Sequence, residues 1–258
     1  MKLAFSKPTR HDSEQQALFS DFRSVGYAGL QLKGDQYAAP LQHPERFIER
    51  WGTDRGIVSG LIMGGQLDEA GVAALRQVFT FAHAVGSERI IFCHTLSRQG
   101  LSSADITGFA TTLSELGKEA RQYGLKLSLH HHYNQPVMHR PDFDVFFDAV
   151  ADRAVGLTVD TAHLVKSNIV DIAGVMRDFR HVIDNIHLKD FADGEFKILG
   201  QGHINFAPVF ATLHEIGFED WMCADEESGS NLRGAMDACY QFMRSAVTPE
   251  RYSPHMGA

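Results

Sequence analysis

Short apolar segments alternate with longer amphipathic segments along nearly the whole chain. The apolar segments are residues 3–6, 29–33, 57–63, 89–93, 125–130, 156–160, 185–189 and 221–225. Short apolar runs bounded by turn residues are typical of strands buried in a parallel sheet. The pattern therefore predicts eight strands.

The segments between these strands space their apolar residues by three and four positions, which predicts helices. The predicted helices are residues 13–26, 43–50 (weaker), 68–86, 105–124, 142–152, 169–179, 206–217 and 231–247. The first has a capping-box spacing from Ser13 to Gln16, and three of them stop at Gly26, Gly86 and Gly124. Residues 248–258 have no such periodicity and are predicted to be a loose tail.

Strands that alternate with helices favour parallel βαβ units, and eight such units favour one α/β domain, a (β/α)8 TIM barrel, over residues 1–258. A doubly wound open sheet is the alternative, but no G-x-G-x-x-G motif follows the first strand. A single barrel of about 250 residues is an ordinary size for this fold.

Charge and cysteine content narrow the function classes. The 24 basic and 32 acidic residues give a net charge of −8, which disfavours binding to nucleic acid or to an anionic membrane face. Three cysteines without a C-x-x-C spacing indicate a reducing compartment. The N-terminal segment turns polar after five residues, and no stretch approaches the roughly 20 apolar residues of a membrane span. We therefore expect a cytoplasmic protein.

The last four predicted strands separate cleanly into an apolar face and a polar face. Side chains of a barrel strand alternate between the helices and the barrel interior. The apolar set must face the helices, so the polar set points inward. The last inward positions of the four strands are His130, Asp160, His187 and Asp225.

Two imidazoles and two carboxylates at neighbouring strand ends can bind Mn²⁺, Mg²⁺, Co²⁺ or Zn²⁺. Adjacent strands are about 4.8 Å apart, so four strand ends can converge on one ion. His132 would lie further into the barrel mouth, and His131 would point outward. A shift of one residue in the eighth strand would turn Glu226 inward, so Glu226 is a second candidate beside the favoured Asp225.

Each of these side chains also has a purely structural interpretation. A histidine at a strand end is more often a hydrogen-bonded structural residue than a metal ligand. Asp160 could simply cap the helix that follows it. The coincidence of four such residues on four consecutive strands favours a metal site.

Four motifs resemble those of the xylose isomerase-like TIM-barrel superfamily. They are VDTAHL (159–164), NIHLKDF (185–191), GQGHINFAPVF (200–210) and GFEDWMCADEE (217–227). This superfamily includes sugar phosphate isomerases and epimerases, inosose dehydratases and metal-dependent AP endonucleases. The resemblance implies a divalent metal at the ends of strands five to eight, where the usual Glu, Asp, His and Glu fall on His130, Asp160, His187 and Asp225, with Glu226 adjacent.

The resemblance also implies roles near the metal. His163, in a D-x-x-H spacing after Asp160, matches a substrate-binding histidine; otherwise it is a helix-face residue. Lys189 matches the lysine of the family's HLKD motif and could meet a substrate oxygen or pair with an acid. His130 replaces a glutamate, and the histidine run resembles that of inosose dehydratases, which weakens a mechanism with two glutamates.

The resulting hypothesis is a metal-dependent sugar isomerase or epimerase that removes a proton alpha to the carbonyl of a keto-sugar or related polyol. His132 and Glu227 are candidate bases, with His163 a further one. A dehydratase that shares the enediolate intermediate is the alternative. Several loop-borne residues, among them Gln31, Lys33 and His94, could recognise substrate hydroxyls or a phosphate, or could do neither.

Two remote alternatives are an AP endonuclease-like DNA repair enzyme and a non-catalytic sugar-binding barrel. The negative charge speaks against the first. The expected partner is a small carbohydrate, without nucleic acid or membrane. The sequence leaves open the substrate, the metal and whether the chain forms a homo-oligomer.

Overall fold

The computed structural model describes residues 1–52 and 57–247, with the side chains of residues 246 and 247 excepted. The predicted tail at 248–258, and with it the end of the predicted domain, lies outside the described residues. The strands are β1 Lys2–Ser6, β2 Gly29–Leu32, β3 Val58–Gly65, β4 Arg89–His94, β5 Lys126–His130, β6 Gly156–Asp160, β7 Ile183–Leu188, β8 Asp190–Ala192, β9 Glu195–Lys197 and β10 Trp221–Asp225. The helices are α1 Asp12–Val25, α2 Gly34–Ala38, α3 Pro44–Trp51, α4 Glu69–Val85, α5 Ser103–Gln122, α6 Arg140–Ala149, α7 Thr161–Lys166, α8 Ile172–Asp178, α9 Ala207–Glu215 and α10 Leu232–Val247.

Eight parallel strands close into a barrel in the order β1-β10-β7-β6-β5-β4-β3-β2. Each is one of the eight strands that the hydrophobic pattern predicts, and helices connect them. The prediction of a (β/α)8 TIM barrel is confirmed. Because all barrel strands run parallel, their carboxyl ends form one mouth, where β5, β6, β7 and β10 lie side by side.

The predicted alternation also holds across the barrel wall. Leu127 and Leu129 are buried in the main apolar core, while Ser128 lies 2.7 Å from the hydroxyl of Thr158. Gln31 and Asn185 exchange hydrogen bonds of 2.8 and 3.2 Å through their amide groups. The middle of the barrel interior is therefore held by polar side chains that bond one another.

An ionic cluster closes the amino end of the barrel. Arg89 is 0% exposed; its guanidinium donates a 2.5 Å hydrogen bond to Asp220 and a second bond to the carbonyl of Asp184. Lys126 donates to the other oxygen of Asp220 at 2.5 Å. The chemistry-bearing strand ends thus lie at the opposite end from this closed floor.

Several local features differ from the sequence-based expectation, and the short helix α2 is one that was not predicted. The Ser13–Gln16 capping box is wrong: α1 begins at Asp12, and the ring of His11 accepts a 3.3 Å hydrogen bond from the Glu14 amide. The short antiparallel hairpin β8–β9 is unpredicted. None of the helices in the described part of the chain combines the length and apolar character that a bilayer span requires.

Candidate active site

The four predicted strand-end residues lie together at the mouth and are buried. His130 Nε2 is 3.3 Å from Asp160 Oδ2, and His187 Nδ1 is 3.6 Å from Asp225 Oδ2. Two overlapping sets bring their donor atoms within 4.8 Å of one another: His130, Asp160 and His163, and Asp160, His187 and Asp225. Asp160 belongs to both sets and so lies at the centre of the candidate site.

Unpartnered ring nitrogens show that this donor set fits a cation. His187 Nε2 lies 2.7 Å from Gln31 Oε1, which places the ring proton on Nε2 and leaves a lone pair on Nδ1. Among the described residues, that Nδ1 is buried without a hydrogen-bond partner, and so are both ring nitrogens of His163. Buried polar atoms are rarely left unpaired, and imidazole and carboxylate donors suit a divalent transition metal.

Two lysines lie among the carboxylates. Lys189 Nζ is 2.7 Å from Asp225, 2.8 Å from Glu227 and 3.5 Å from Asp160. Lys33 Nζ contacts the other oxygens of Asp225 and Glu227, at 2.6 and 2.7 Å. Three carboxylates and two ammonium groups leave one net negative charge in the cluster.

This pairing fixes the protonation of both charge types. Burial alone would lower the pKa of Lys189, but Asp160 and Asp225 raise it well above its ordinary value. Burial alone would likewise raise the pKa of Asp225, but Lys189 and Lys33 hold it well below its usual range. The lysines are therefore cationic donors and the aspartates ionised acceptors.

His132 and His163 form a closely packed, tilted pair of imidazoles beside the donor set. Their ring centroids are 3.6 Å apart, and the His130 ring lies 5.7 Å from that of His163. His132 Nδ1 lies 2.8 Å from the carbonyl of Tyr133, so its proton is on Nδ1 and Nε2 is free. Burial lowers the pKa of His132 to about 4, which keeps a half-buried base neutral at the mouth.

Glu226 is not brought to this group. Its carboxylate pairs with the buried ammonium of Lys7 and accepts a 2.7 Å hydrogen bond from the Ser228 amide. Asp225 instead pairs in register with Ser6 of β1 and points to His187 and the lysines. The structure thus places Asp225, and not the alternative Glu226, with the other candidate ligands.

Asp160 combines its structural and its site position. Oδ1 accepts a 2.9 Å hydrogen bond from the His163 amide and so caps helix α7, while Oδ2 faces His130 and Lys189. His131 points outward, as expected, and holds the backbone of Asp160. Its Nε2 accepts a 2.9 Å hydrogen bond from the Asp160 amide.

Asp190 of the HLKD segment holds together the hairpin and the loop that cover the candidate site. The Asp190 carboxylate accepts hydrogen bonds from the backbone amides of Phe191, Gly200, Gly202 and Ile204, at 2.8 to 3.2 Å. It thereby ties the hairpin to the GQGHINF loop. Phe196 of that hairpin lies 4.8 Å from Lys189 Nζ and 5.3 Å from the His163 ring, so an aromatic side chain covers this side of the site.

Sequence reasoning missed two contacts on the early strands. Cys93, the last inward residue of β4, has its Sγ 2.9 Å from His130 Nδ1. Lys33 follows β2 and was named only as a possible contact for substrate hydroxyls or phosphate, yet it pairs with two acids of the site. The inward–outward rule applied to β2 and β4 would have pointed both side chains into the barrel, but would not have identified their partners. His94, another candidate for substrate recognition, instead packs outward between Phe92 and Phe109.

Comparison with known proteins identifies the family. The protein-family model of the xylose isomerase-like TIM barrel matches residues 58–246. The chain belongs to this family. An inosose dehydratase of Glaesserella parasuis serovar 5 is 30% identical over 186 residues, which are 59% of this chain and 62% of the relative. The chain spans about three fifths of the length of the first curated relatives it matches.

Solved structures show the same fold at low sequence identity. The IOLI protein, determined with a zinc atom, superposes with a TM-score of 0.76 at 18% identity and covers 96% of each chain. An L-ribulose 3-epimerase gives 0.75 at 15% identity, over 98% of this chain and 100% of the other. The family match confirms the expected superfamily, and the dehydratase and the epimerase named here are enzymes, as the sequence predicts for this chain.

Proposed function

We propose that the chain is a metal-dependent dehydratase that removes water from an inosose or a similar cyclic keto-polyol. The observation that carries this proposal is a neutral imidazole pair, His132 and His163, beside a buried set of metal-competent donors and two fixed ammonium groups. The sequence favoured isomerisation or epimerisation first; the curated relatives support dehydration, a carbon–oxygen lyase reaction, better.

The metal would be held by His130, Asp160, His187 and Asp225, one residue from each of four adjacent strands. When bound, a divalent ion supplies Lewis-acid polarisation of the substrate carbonyl and a neighbouring hydroxyl. Mn²⁺, Co²⁺ and Zn²⁺ suit a set that is half imidazole better than Mg²⁺ does.

His132 takes the proton from the carbon beside the carbonyl. Its Nε2 carries the free lone pair, its ring is half-buried at the mouth, and its depressed pKa keeps it neutral. The His163 ring packs against it and restricts where it can turn. Glu227 suits the base role less well, because each of its oxygens already binds an ammonium group.

Lys189 and Lys33 complement the base by stabilising negative charge on the substrate. Negative charge develops on the substrate oxygen as the proton leaves, and fixed cationic donors stabilise such charge. Loss of the beta hydroxyl as water also needs a proton donor. His132 then holds the abstracted proton and, because its pKa is low, donates it to the leaving hydroxyl, while Lys33 and Lys189 keep their protons and stabilise the oxyanion.

Epimerisation is the second candidate, because the acid–base groups lie on two sides of the strand-end set. His132 and His163 follow the neighbouring strands β5 and β6. Glu227 follows β10, which β7 separates from β6, and Lys33 follows β2, which β1 separates from β10. Groups on two sides could remove a proton from one face of a carbon and return one to the other.

The two reactions are separated by incubating the metal-loaded protein with inososes and keto-sugars in deuterated water. The proposal expects an unsaturated or deoxygenated product from an inosose, seen by mass as the loss of water. Deuterium in an inverted sugar without water loss would select the epimerase. Neither product nor exchange over the whole panel would reject both.

A further inference from the structure

Cys93 and His130 face each other across two neighbouring barrel strands. β4 and β5 pair in register up to Phe92 and Leu129, so the next residue of each strand, Cys93 and His130, points inward side by side. Cys93 Sγ lies 2.9 Å from His130 Nδ1, on the opposite side of the ring from Nε2, which faces Asp160.

We propose that Cys93 is a positioning residue, whose sulfur accepts the Nδ1–H of His130 and so presents the Nε2 lone pair to the metal. This inference rests on the metal dependence of the proposed function. It assigns a role to a thiol that the reaction itself does not use.

The physical reason lies in the two nitrogens of imidazole. A ring ligates through one nitrogen only if the proton sits on the other, and the partner of the remote nitrogen fixes both the tautomer and the ring orientation. For His187 that partner is Gln31, at 2.7 Å from Nε2. For His130 the corresponding contact is sulfur, where a carboxylate or carbonyl is usual.

The three cysteines differ in position and exposure, which allows a controlled test of the Cys93 thiol. Cys93 is partly exposed, whereas Cys223 and Cys239 are buried. Cys239 lies on α10, outside the barrel wall, and offers a matched control for the removal of one thiol. Cys93→Ala removes the acceptor, and Cys93→Ser returns a smaller one.

The test measures Zn²⁺ affinity by calorimetry and the visible spectrum of the Co²⁺-loaded protein, for wild type, Cys93→Ala, Cys93→Ser and Cys239→Ala. Loss of the partner of a metal-bound histidine typically weakens affinity by about 10–100-fold. We expect that loss and an altered cobalt spectrum in Cys93→Ala, partial recovery in Cys93→Ser, and no change in Cys239→Ala.

Other outcomes overturn the inference and are distinct from one another. Equal affinities and spectra in wild type and Cys93→Ala would show that the sulfur does not position the ring. A sulfur-to-cobalt charge-transfer band in wild type would make Cys93 a direct ligand. If wild type itself binds neither ion, the metal-dependent function fails along with the role of Cys93.

Discussion

Lys189 Nζ lies 2.7 Å from Asp225 Oδ2, so an ammonium group contacts an oxygen that we propose as a metal ligand. A second contact, 3.5 Å to Asp160, places the same group between two candidate ligands. The lysine and a metal ion therefore compete for the same negative charge, although the lysine also supplies a donor to the substrate.

The competition predicts opposite effects of Lys189→Met on binding and catalysis. Without the ammonium, Zn²⁺ affinity should rise by about tenfold, a change of about 1.4 kcal/mol, while kcat falls because the oxyanion loses a donor. Calorimetry and initial rates measure the two effects. Lys197→Met, at an exposed pair with Glu195, is the control. Weaker zinc binding in Lys189→Met would refute the competition.

The eighth barrel strand offers a comparison between adjacent acids. Asp225→Asn should abolish Zn²⁺ binding, since it removes a ligand charge beside His187. Glu226→Gln should bind zinc like wild type, because its carboxylate faces Lys7 instead of the site. Calorimetry decides, with circular dichroism to check that both variants fold. Loss of binding in Glu226→Gln alone would reverse the assignment.

His94 predicts an acid-sensitive stability that does not depend on the active site. Burial lowers its pKa from 6.5 to about 4, and neither ring nitrogen has a hydrogen-bond partner in the described part of the chain. The unfolded chain therefore binds a proton below pH 6.5 that the folded chain does not, so stability falls as the pH drops from 6.5 towards 4.

Replacement by phenylalanine isolates this effect. His94→Phe suits the aromatic contacts with Phe92 and Phe109 and should flatten the pH dependence. Between pH 7.5 and pH 5, the unfolding free energy of wild type relative to the variant should fall by about 2 kcal/mol. Urea denaturation at both pH values measures it. A constant difference would show that His94 titrates normally in the fold.

Gly202 predicts that the loop held by Asp190 has no room for a side chain. A Cβ at Gly202 would lie 2.2 Å from Asp190 Oδ1 and 2.8 Å from the Phe191 amide. Gly202→Ala should therefore displace the hairpin that carries Phe196, costing about 1–3 kcal/mol of stability and raising KM for the substrate. Zinc affinity should stay unchanged.

Gly108→Ala is the matched control, because it lies in α5, where no described residue beyond the helix's own neighbouring backbone comes within 4 Å of the added Cβ. Thermal unfolding and steady-state kinetics compare the two variants. Unchanged kinetics in Gly202→Ala would mean that the loop does not shape the substrate site.

The sequence predicted those parts of the molecule that depend on regular alternation. One inward position per strand sufficed to place His130, Asp160, His187 and Asp225 at one mouth. The choice between Asp225 and Glu226 depended on the pairing of β10 with Ser6, which apolar spacing cannot supply. The contacts of Lys33 and Cys93 depend on which strands are neighbours and how far a side chain reaches. His11 as a helix cap breaks the usual preference for serine or aspartate.

Asp160 divides its two oxygens between the helix that carries His163 and the cluster that faces the lysines. A cation that binds Oδ2 also restricts the motion of the carboxylate that caps the first turn of α7. Linkage is reciprocal, so a more rigid turn would in turn strengthen the hold on the cation. Hydrogen exchange of the His163 backbone amide would thus slow when a metal ion is bound at the barrel mouth.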